Sequence, residues 1–349
     1  MQKKIIALAI AAAFAAPVAM ADTANMSFFG TLDGGIRHQT NDAPANGTTD
    51  SMALGQYNSN RWGFKVAEDL GEGLKANVWL EGSLLIYGTT TGSAVLPNPA
   101  TGNNPNGLLF DRQATIGLEG GFGKADMGYN YTVAFTSNVK YDPLGYKFLG
   151  LAYAKPTTGT ERSNNISYEN KFGDVSLRAQ YVMNNAQAGS QPSSGAGRAV
   201  GVDYASGPIS VGLSYTATED STAAGDDAAT RVTGGAGFDF GDGKVSVGYD
   251  KNSNKTAAND NFSTNMWLGA KYNVSSKIGA TLAYYKNTAN DGGTTSVDSN
   301  KSRIIGAVTY SLSKRTTAYF EMDTQTSNAG GTAIDVKTTG SGIGLATTF

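Results

Sequence analysis

The side chains that carry most acid–base and metal chemistry are nearly missing from this chain of 349 residues, which has one histidine, His38, and no cysteine. That rules out a thiolate nucleophile, a disulfide framework and a two-histidine metal set. His38 ends an alternating apolar run beside a long polar stretch, the setting of a surface residue rather than a general base. Gly71-Glu72-Gly73-Leu74-Lys75-Ala76 spells a dinucleotide fingerprint, but that motif needs a following helix. Leu74, Ala76, Val78 and Leu80 alternate with period two instead, so the glycines belong to a turn. Asp226-Asp227 could meet a divalent cation, though no spacing demands it. The residues point to no enzyme and no cofactor.

What the chain has instead is one repeated unit, clearest from Arg198 to Ala217. Val200, Val202 and Tyr204 share a parity, and after Gly207-Pro208 so do Ile209, Val211, Leu213 and Tyr215. Successive strand side chains point to opposite faces, so each run has one apolar face and one small or polar face. Gly207 can take φ > 0 and Pro208 opens a strand where a missing N–H does no harm, so the unit is a hairpin. Similar runs recur: Trp62, Phe64 and Val66 alternate with Arg61, Gly63 and Lys65, and Ile343, Leu345, Thr347 and Phe349 close the chain.

Lys3 and Lys4 precede the apolar run Ile5 to Ala16, and Ala19-Met20-Ala21 is a small-x-small cleavage site. Residues 1–21 are expected to be a cleaved signal peptide, leaving 22–349 as a single domain. Losing those two lysines takes 27 basic side chains to 25 against 29 acidic ones, a net charge of -4. So weak a charge argues for no nucleic-acid partner. Mean hydropathy is -0.27, and no other stretch approaches the ~18 apolar residues of a membrane helix.

Connections alternate, short near 70–73, 120–123, 171–174, 206–208, 241–243, 274–277 and 312–315, and long in between. The runs between them count to sixteen strands, an even number that lets the first and last pair and close the sheet. A soluble sandwich would show the same alternation with the apolar face buried. Run lengths near ~9–11 residues, the short/long alternation and aromatics at run ends favour a transmembrane antiparallel β-barrel. Those aromatics are Tyr87, Tyr129, Tyr131, Tyr168, Tyr181, Tyr204, Tyr215, Tyr249, Tyr272, Tyr284, Tyr285, Tyr310 and Phe349, expected as two interfacial girdles. Sixteen strands enclose a lumen that side chains cannot fill, and the small polar inner face keeps it wet. The connection 132–160 differs from the Asn-, Gly- and Thr-rich others by carrying Phe135, Tyr141, Leu144, Tyr146, Phe148 and Leu151. Such a loop is expected to fold inward against the wall; a surface lid or partner contact is the alternative.

The chain resembles the general trimeric porins of Gram-negative outer membranes. The resemblance runs through Phe29-Gly30-Thr31-Leu32-Asp33-Gly34-Gly35, Asn60-Arg61-Trp62-Gly63-Phe64 and Glu68-Asp69-Leu70-Gly71. It continues in Leu74-Lys75-Ala76, Leu80-Glu81, Arg112-Gln113-Ala114-Thr115-Ile116-Gly117-Leu118 and Gly128-Tyr129-Asn130-Tyr131. Tyr141-Asp142-Pro143-Leu144-Gly145, Arg162-Ser163-Asn164-Asn165-Ile166-Ser167-Tyr168, Leu312-Ser313-Lys314-Arg315-Thr316 and terminal Phe349 complete it.

The resemblance implies a homotrimer in outer-membrane lipid, passing small hydrophilic solutes and ions by passive diffusion. A plugged barrel serving as adhesin or structural protein is the alternative, and a histidine-poor outer-membrane hydrolase a third. By motif the family's wall arginines fall on Arg61, Arg112 and Arg162, and its loop acid on Asp142. Glu81 and the loop's Lys140 and Lys147 complete the expected pore constriction, which is richer in cations than in acids and so implies anion preference. Tyr129 stands where the family often has a further arginine, and Leu144, Tyr146 and Lys147 where some members have a second loop acid. Arg61 has lumen parity, whereas Arg112 shares parity with Ile116, and Arg162 with Ile166 and Tyr168. A bulge, a protein-facing wall or a strand-end position would each reconcile those two. Phe349 resembles the terminal signal read during outer-membrane assembly.

Overall fold

The computed structural model describes residues 24–42, 47–84, 109–151, 161–183, 196–219, 227–255, 260–290, 299–328 and 335–349. The expected signal peptide, Tyr87, Asp226 and the loop beyond Leu151 lie outside them. The chain opens with β1 (Ala24–Asn41), β2 (Thr48–Leu54), β3 (Arg61–Gly71) and β4 (Leu74–Ser83). Next are β5 (Gln113–Gly120), β6 (Gly123–Tyr131) and the helix α1 (Val133–Tyr141). Then follow β7 (Arg162–Phe172), β8 (Val175–Val182), β9 (Gly197–Ser206) and β10 (Ile209–Glu219). The second half runs through β11 (Asp227–Asp239), β12 (Gly243–Lys255), β13 (Asp260–Asn273) and β14 (Ile278–Asn290). It ends with β15 (Ser299–Ser311), β16 (Thr316–Asn328) and β17 (Val336–Thr348).

These seventeen strands make sixteen passes of one closed antiparallel sheet. β1 pairs with β3 from Ala24↔Glu68 to Thr31↔Arg61, and with β2 from Gly34↔Leu54 to Thr40↔Thr48. β2 and β3 are thus two halves of a single pass, interrupted over residues 55–60. Asp33 on β1 holds that interruption: its carbonyl accepts from Gly55 N (3.0 Å) and Asn60 Nδ2 (3.1 Å), and its carboxylate from Asn58 N (2.8 Å). Gly55 takes φ 73°, which a residue with a side chain rarely adopts. Closure comes from β1 and β17, in register from Thr31↔Thr348 to Asn41↔Thr338. Phe349 extends this ladder with two bonds to Gly30, N–H to carbonyl in both directions (3.1 and 3.0 Å).

The outer face carries the apolar set, with Met26, Phe28, Ile36, Ile116, Met127, Leu213, Leu268 and Ile343 all exposed. Tyr168, Tyr181, Tyr204, Tyr215, Tyr249, Tyr272, Tyr284 and Tyr310 stand outward as expected of a girdle. Tyr131 and Tyr285 do not: Tyr285 is fully buried inside the barrel, and Tyr131 turns to the lumen where the chain leaves the wall. The strands also outrun the expected lengths, to 14 residues in β13 and 18 in β1. Residues 38–41 and 48–54, in the polar stretch expected as a long connection after the first run, are ladder, namely the end of β1 and β2. Beyond the lipid both faces meet water, so the apolar alternation stops while backbone pairing continues.

The segment after β6 crosses the interior. Thr132 caps α1, its hydroxyl accepting from Phe135 N (3.3 Å). The helix lies along the lumen faces of β8 to β12. It fits there because those faces carry glycine. A methyl at Gly201 would sit 2.8 Å from Val133 Cγ1, at Gly212 2.6 Å from the Tyr141 hydroxyl, and at Gly235 against the Tyr141 ring. After the helix, Pro143 packs on Gly269, and Leu144, Phe148, Leu149 and Leu151 join Trp267, Tyr285, Ile305 and Tyr319 in an apolar cluster on the inner wall. Part of the small-residue inner face is therefore a seat for the loop rather than a wetted surface. Gly235→Val overpacks that seat, at a typical cost of about 1–3 kcal/mol. Amide exchange in residues 133–148 should rise about tenfold or more while the β12–β16 ladder stays protected; unchanged exchange in α1 would contradict the seat.

Candidate functional site

The wall opposite the seated loop is cut short. β4 ends at Ser83, β5 starts at Gln113, β6 ends at Tyr131 and β7 starts at Arg162. The register Arg61↔Ser83, Glu81↔Gln113 and Tyr131↔Arg162 puts these ends along one rim. Arg61 faces the lumen by strand parity. Arg112 and Arg162 reach it as strand-end residues, free of the alternation that would send Ile116 and Ile166 outward.

The rim holds three guanidiniums around one phenol. Arg112 Nε pairs with Glu81 Oε1 at 2.6 Å, and Arg112 Nη2 donates to the Tyr131 hydroxyl at 3.2 Å. Arg162 Nη2 donates to the same hydroxyl at 2.8 Å, with its guanidinium 4.4 Å above the Tyr131 ring. Its Nη1 pairs with Glu161 Oε2 at 3.2 Å. Tyr146 of the loop donates to the other Glu161 oxygen at 2.5 Å, and Phe135 of α1 stacks on Tyr131 at 4.7 Å between ring centres. Arg61 shares the field of Arg112, Arg162 and Glu81, yet forms no hydrogen bond or ion pair among the described residues. Glu81 and Glu161 are thus taken by their own arginines, a third rim carboxylate, Asp111, accepts from Ser83 N at 2.7 Å, and Arg61 faces the lumen with no such partner among the described residues. Lys65, next inward-facing on β3, lies 3.6 Å over the Trp79 ring.

The loop residues fall differently from expectation. Asp142 is buried against the wall, not turned to the opening. It accepts from the Tyr285 hydroxyl (2.5 Å), Tyr146 N (2.6 Å) and Leu144 N (3.3 Å), so it pins the loop. The proline and glycine after it turn the chain back so sharply that its own amides compete for the carboxylate. Lys140 meets the wall carboxylate of Asp203 at 3.1 Å, which also accepts from Tyr141 OH at 3.0 Å and pairs with Arg178 at 2.5 Å. Lys147 donates to Tyr57 OH at 2.9 Å, from the interrupted second pass. Tyr57 stacks on Tyr319 at 5.1 Å and meets Phe148 edge-on at 4.9 Å. Trp267 Nε1 donates to Tyr141 O at 2.8 Å, and Arg303 Nη1 to Leu149 O at 2.8 Å, closing the loop's free carbonyls. Sequence reasoning missed Tyr131, Glu161, Asp203 and Tyr57; for Tyr131 the only signal was its place beside the loop.

A family model described as Gram-negative porin matches residues 7–330, nearly the whole chain. The chain belongs to the Gram-negative porin family. An outer membrane porin of Bordetella pertussis is 32% identical over 184 residues, 49% of this chain and 43% of that protein. Outer membrane porin protein 32 of Delftia acidovorans is 27% identical over 197 residues, covering 54% and 51%. Major outer membrane protein P.IB of Neisseria meningitidis is 31% identical over 189 residues, covering 53% and 50%. The aligned segments span about half the length of these relatives. Among solved structures, an anion-selective porin from Comamonas acidovorans has a TM-score of 0.75 at 24% identity, covering 94% of this porin and 100% of that chain. OmpT of Vibrio cholerae has a TM-score of 0.68 at 15% identity, covering 96% and 100%. They share the barrel, and the relatives place the porin in the outer membrane.

Burial pushes the Asp142 carboxyl up from its ordinary 3.8 to about 6, against the pull of its three hydrogen bonds. Because the docked value lies above the free one, docking is favoured most below pH 3.8 and loses that contribution as pH rises through 6. Amides of residues 142–148 should then exchange more slowly at pH 5 than at pH 8 after correction for intrinsic rates. Asp142→Asn should flatten the difference; an equal pH effect in that variant would refute the assignment.

Proposed function

We propose that this porin is a water-filled channel for passive diffusion of small hydrophilic solutes and ions, with a preference for anions. The observation that carries the reading is the charge balance at the rim. Glu81 and Glu161 are each paired with an arginine, Asp111 is held by the Ser83 amide, Arg61 has no hydrogen bond or ion pair among the described residues, and the loop carboxylate Asp142 is buried. An ion passing the rim meets Arg61, Arg112 and Arg162. Within a Debye length, ~8 Å at physiological salt, the field of these charges is incompletely screened. The net charge of -4 counts for less, because exposed acids elsewhere are screened and far away. That the similar Comamonas acidovorans barrel is an anion-selective porin agrees.

Three copies would associate through the outer face near closure, where Phe28, Trp62, Phe64, Phe110 and Phe349 make an aromatic patch with ring centres 5.2–6.4 Å apart. Native mass analysis showing only monomers in mild detergent would count against the trimer. Phe349 is read as the assembly signal, so its deletion should lower inserted protein in cells and leave refolded conductance nearly unchanged.

The experiment for the channel is a zero-current potential in a potassium chloride gradient across a planar bilayer. Wild type should favour chloride, and Arg61→Ser with Arg112→Ser, which also bares Glu81, should bring the potential to zero or past it. A wild-type preference for potassium would sink the anion reading, and absence of stepwise conductance would sink the channel.

A further inference from the structure

A second basic site lies on the other side of the lumen. Lys244 on β12 and Lys271 on β13 are register partners on the inner face, close to the short turns at 241–242 and 274–277. Side chains so placed have Cβ atoms about 4.5–5.5 Å apart, and like charges directly opposite destabilise a sheet. Asp242, in the turn before β12, lines a neighbouring cavity with Lys271. Lys271 forms no hydrogen bond or ion pair among the described residues, and Lys244 has only the half-exposed Asp239 at 3.6 Å.

The seated loop adds two more ammoniums. Lys140 and Lys147 border the same cavity of about 300 Å³, together with the hydroxyls of Ser246, Thr281 and Thr309. Lys147 is held in place by the Tyr57 hydroxyl and lies 4.3 Å from that ring's centre, while Lys140 shares Asp203 with Arg178. The carboxylate in the lining, Asp142, is spent on Tyr285 and its own loop. Four ammoniums and three hydroxyls thus border one cavity; Lys140, Lys147 and Lys244 each have one partner, and Lys271 has none among the described residues. Ammoniums act as point charges rather than shaped forks, so such a site selects by charge number more than by outline.

We propose that this cavity is a binding station for small solutes bearing two or more phosphate or carboxylate groups. One such anion bridges Lys244 and Lys271 and turns their repulsion into attraction, which a monovalent ion cannot do as well. The station stands apart from the arginine rim on β3, β5 and β7. It rests on the diffusion-channel reading in that the solute must enter the lumen.

The test is calorimetric titration of the refolded full-length porin in detergent at low salt with pyrophosphate, citrate and acetate. Pyrophosphate, citrate or both should bind at least about tenfold tighter than acetate, and whichever binds identifies the group recognised. Lys244→Ser with Lys271→Ser should weaken that binding about tenfold, Lys244→Arg with Lys271→Arg should keep it, and Arg61→Ser with Arg112→Ser should leave it unchanged. No binding of either multivalent anion, or a loss that follows the arginine pair instead of the lysine pair, overturns the station. Because calorimetry needs no current, a failed station and a failed channel give separate results.

Discussion

A backbone N–H or C=O left unpaired in lipid costs several kcal/mol, so a sheet crossing a membrane must close. Everything else in this structure follows from how closure is achieved. β1 carries three partners at once: β17 along one edge, and β2 and β3 along the other. Asp33, buried at the centre of β1, holds the gap between those two and accepts from the Tyr319 hydroxyl at 2.8 Å. Closure thus brings the 55–60 excursion inward, and the excursion presents Tyr57 to the loop.

Closure leaves a lumen too wide for wall side chains to fill, and the loop answers that problem by packing rather than by hanging free. Its apolar residues find an inner wall made locally apolar by Trp267, Tyr285, Ile305 and Tyr319, and its helix finds glycines where side chains would collide. Polar ties from Asp203, Trp267 and Arg303 then satisfy its hydroxyls and carbonyls. With the loop fixed on one side, the shortened strands β4 to β7 face it across the opening, and their ends expose the arginines. The charge of the opening is thus a consequence of where strands stop.

Period two made the passes, their number and the closing pair legible, because lipid outside and water inside enforce alternation over the membrane-crossing span. It failed where one of those solvents is missing. Above the lipid, strand ends such as Thr324 to Asn328 and Val336 to Thr339 lose the pattern but keep the ladder. At the rim, Arg112 and Arg162 break parity because the strand has ended, and Tyr131 turns inward for the same reason. Asp142 was misplaced because spacing shows that a loop carries an acid, not that the next four residues fold back on it. The glycines at 201, 212 and 235 were visible in number; their role required the partner that sits on them.

The claim on which the account depends most is that the loop rests on this glycine seat in the conducting barrel. Gly201→Cys with Val133→Cys tests it, since a Cβ at 201 lies 2.8 Å from the position Val133 Cγ1 occupies, within reach of a disulfide. Single-channel conductance is measured before and after reduction of the bond. If the loop rests on the seat, the bond forms spontaneously on oxidation and conductance is the same in both states, because the tether holds the loop where it already is. A bond that does not form, or a conductance that changes when it is reduced, would show that the loop stands elsewhere in the open channel.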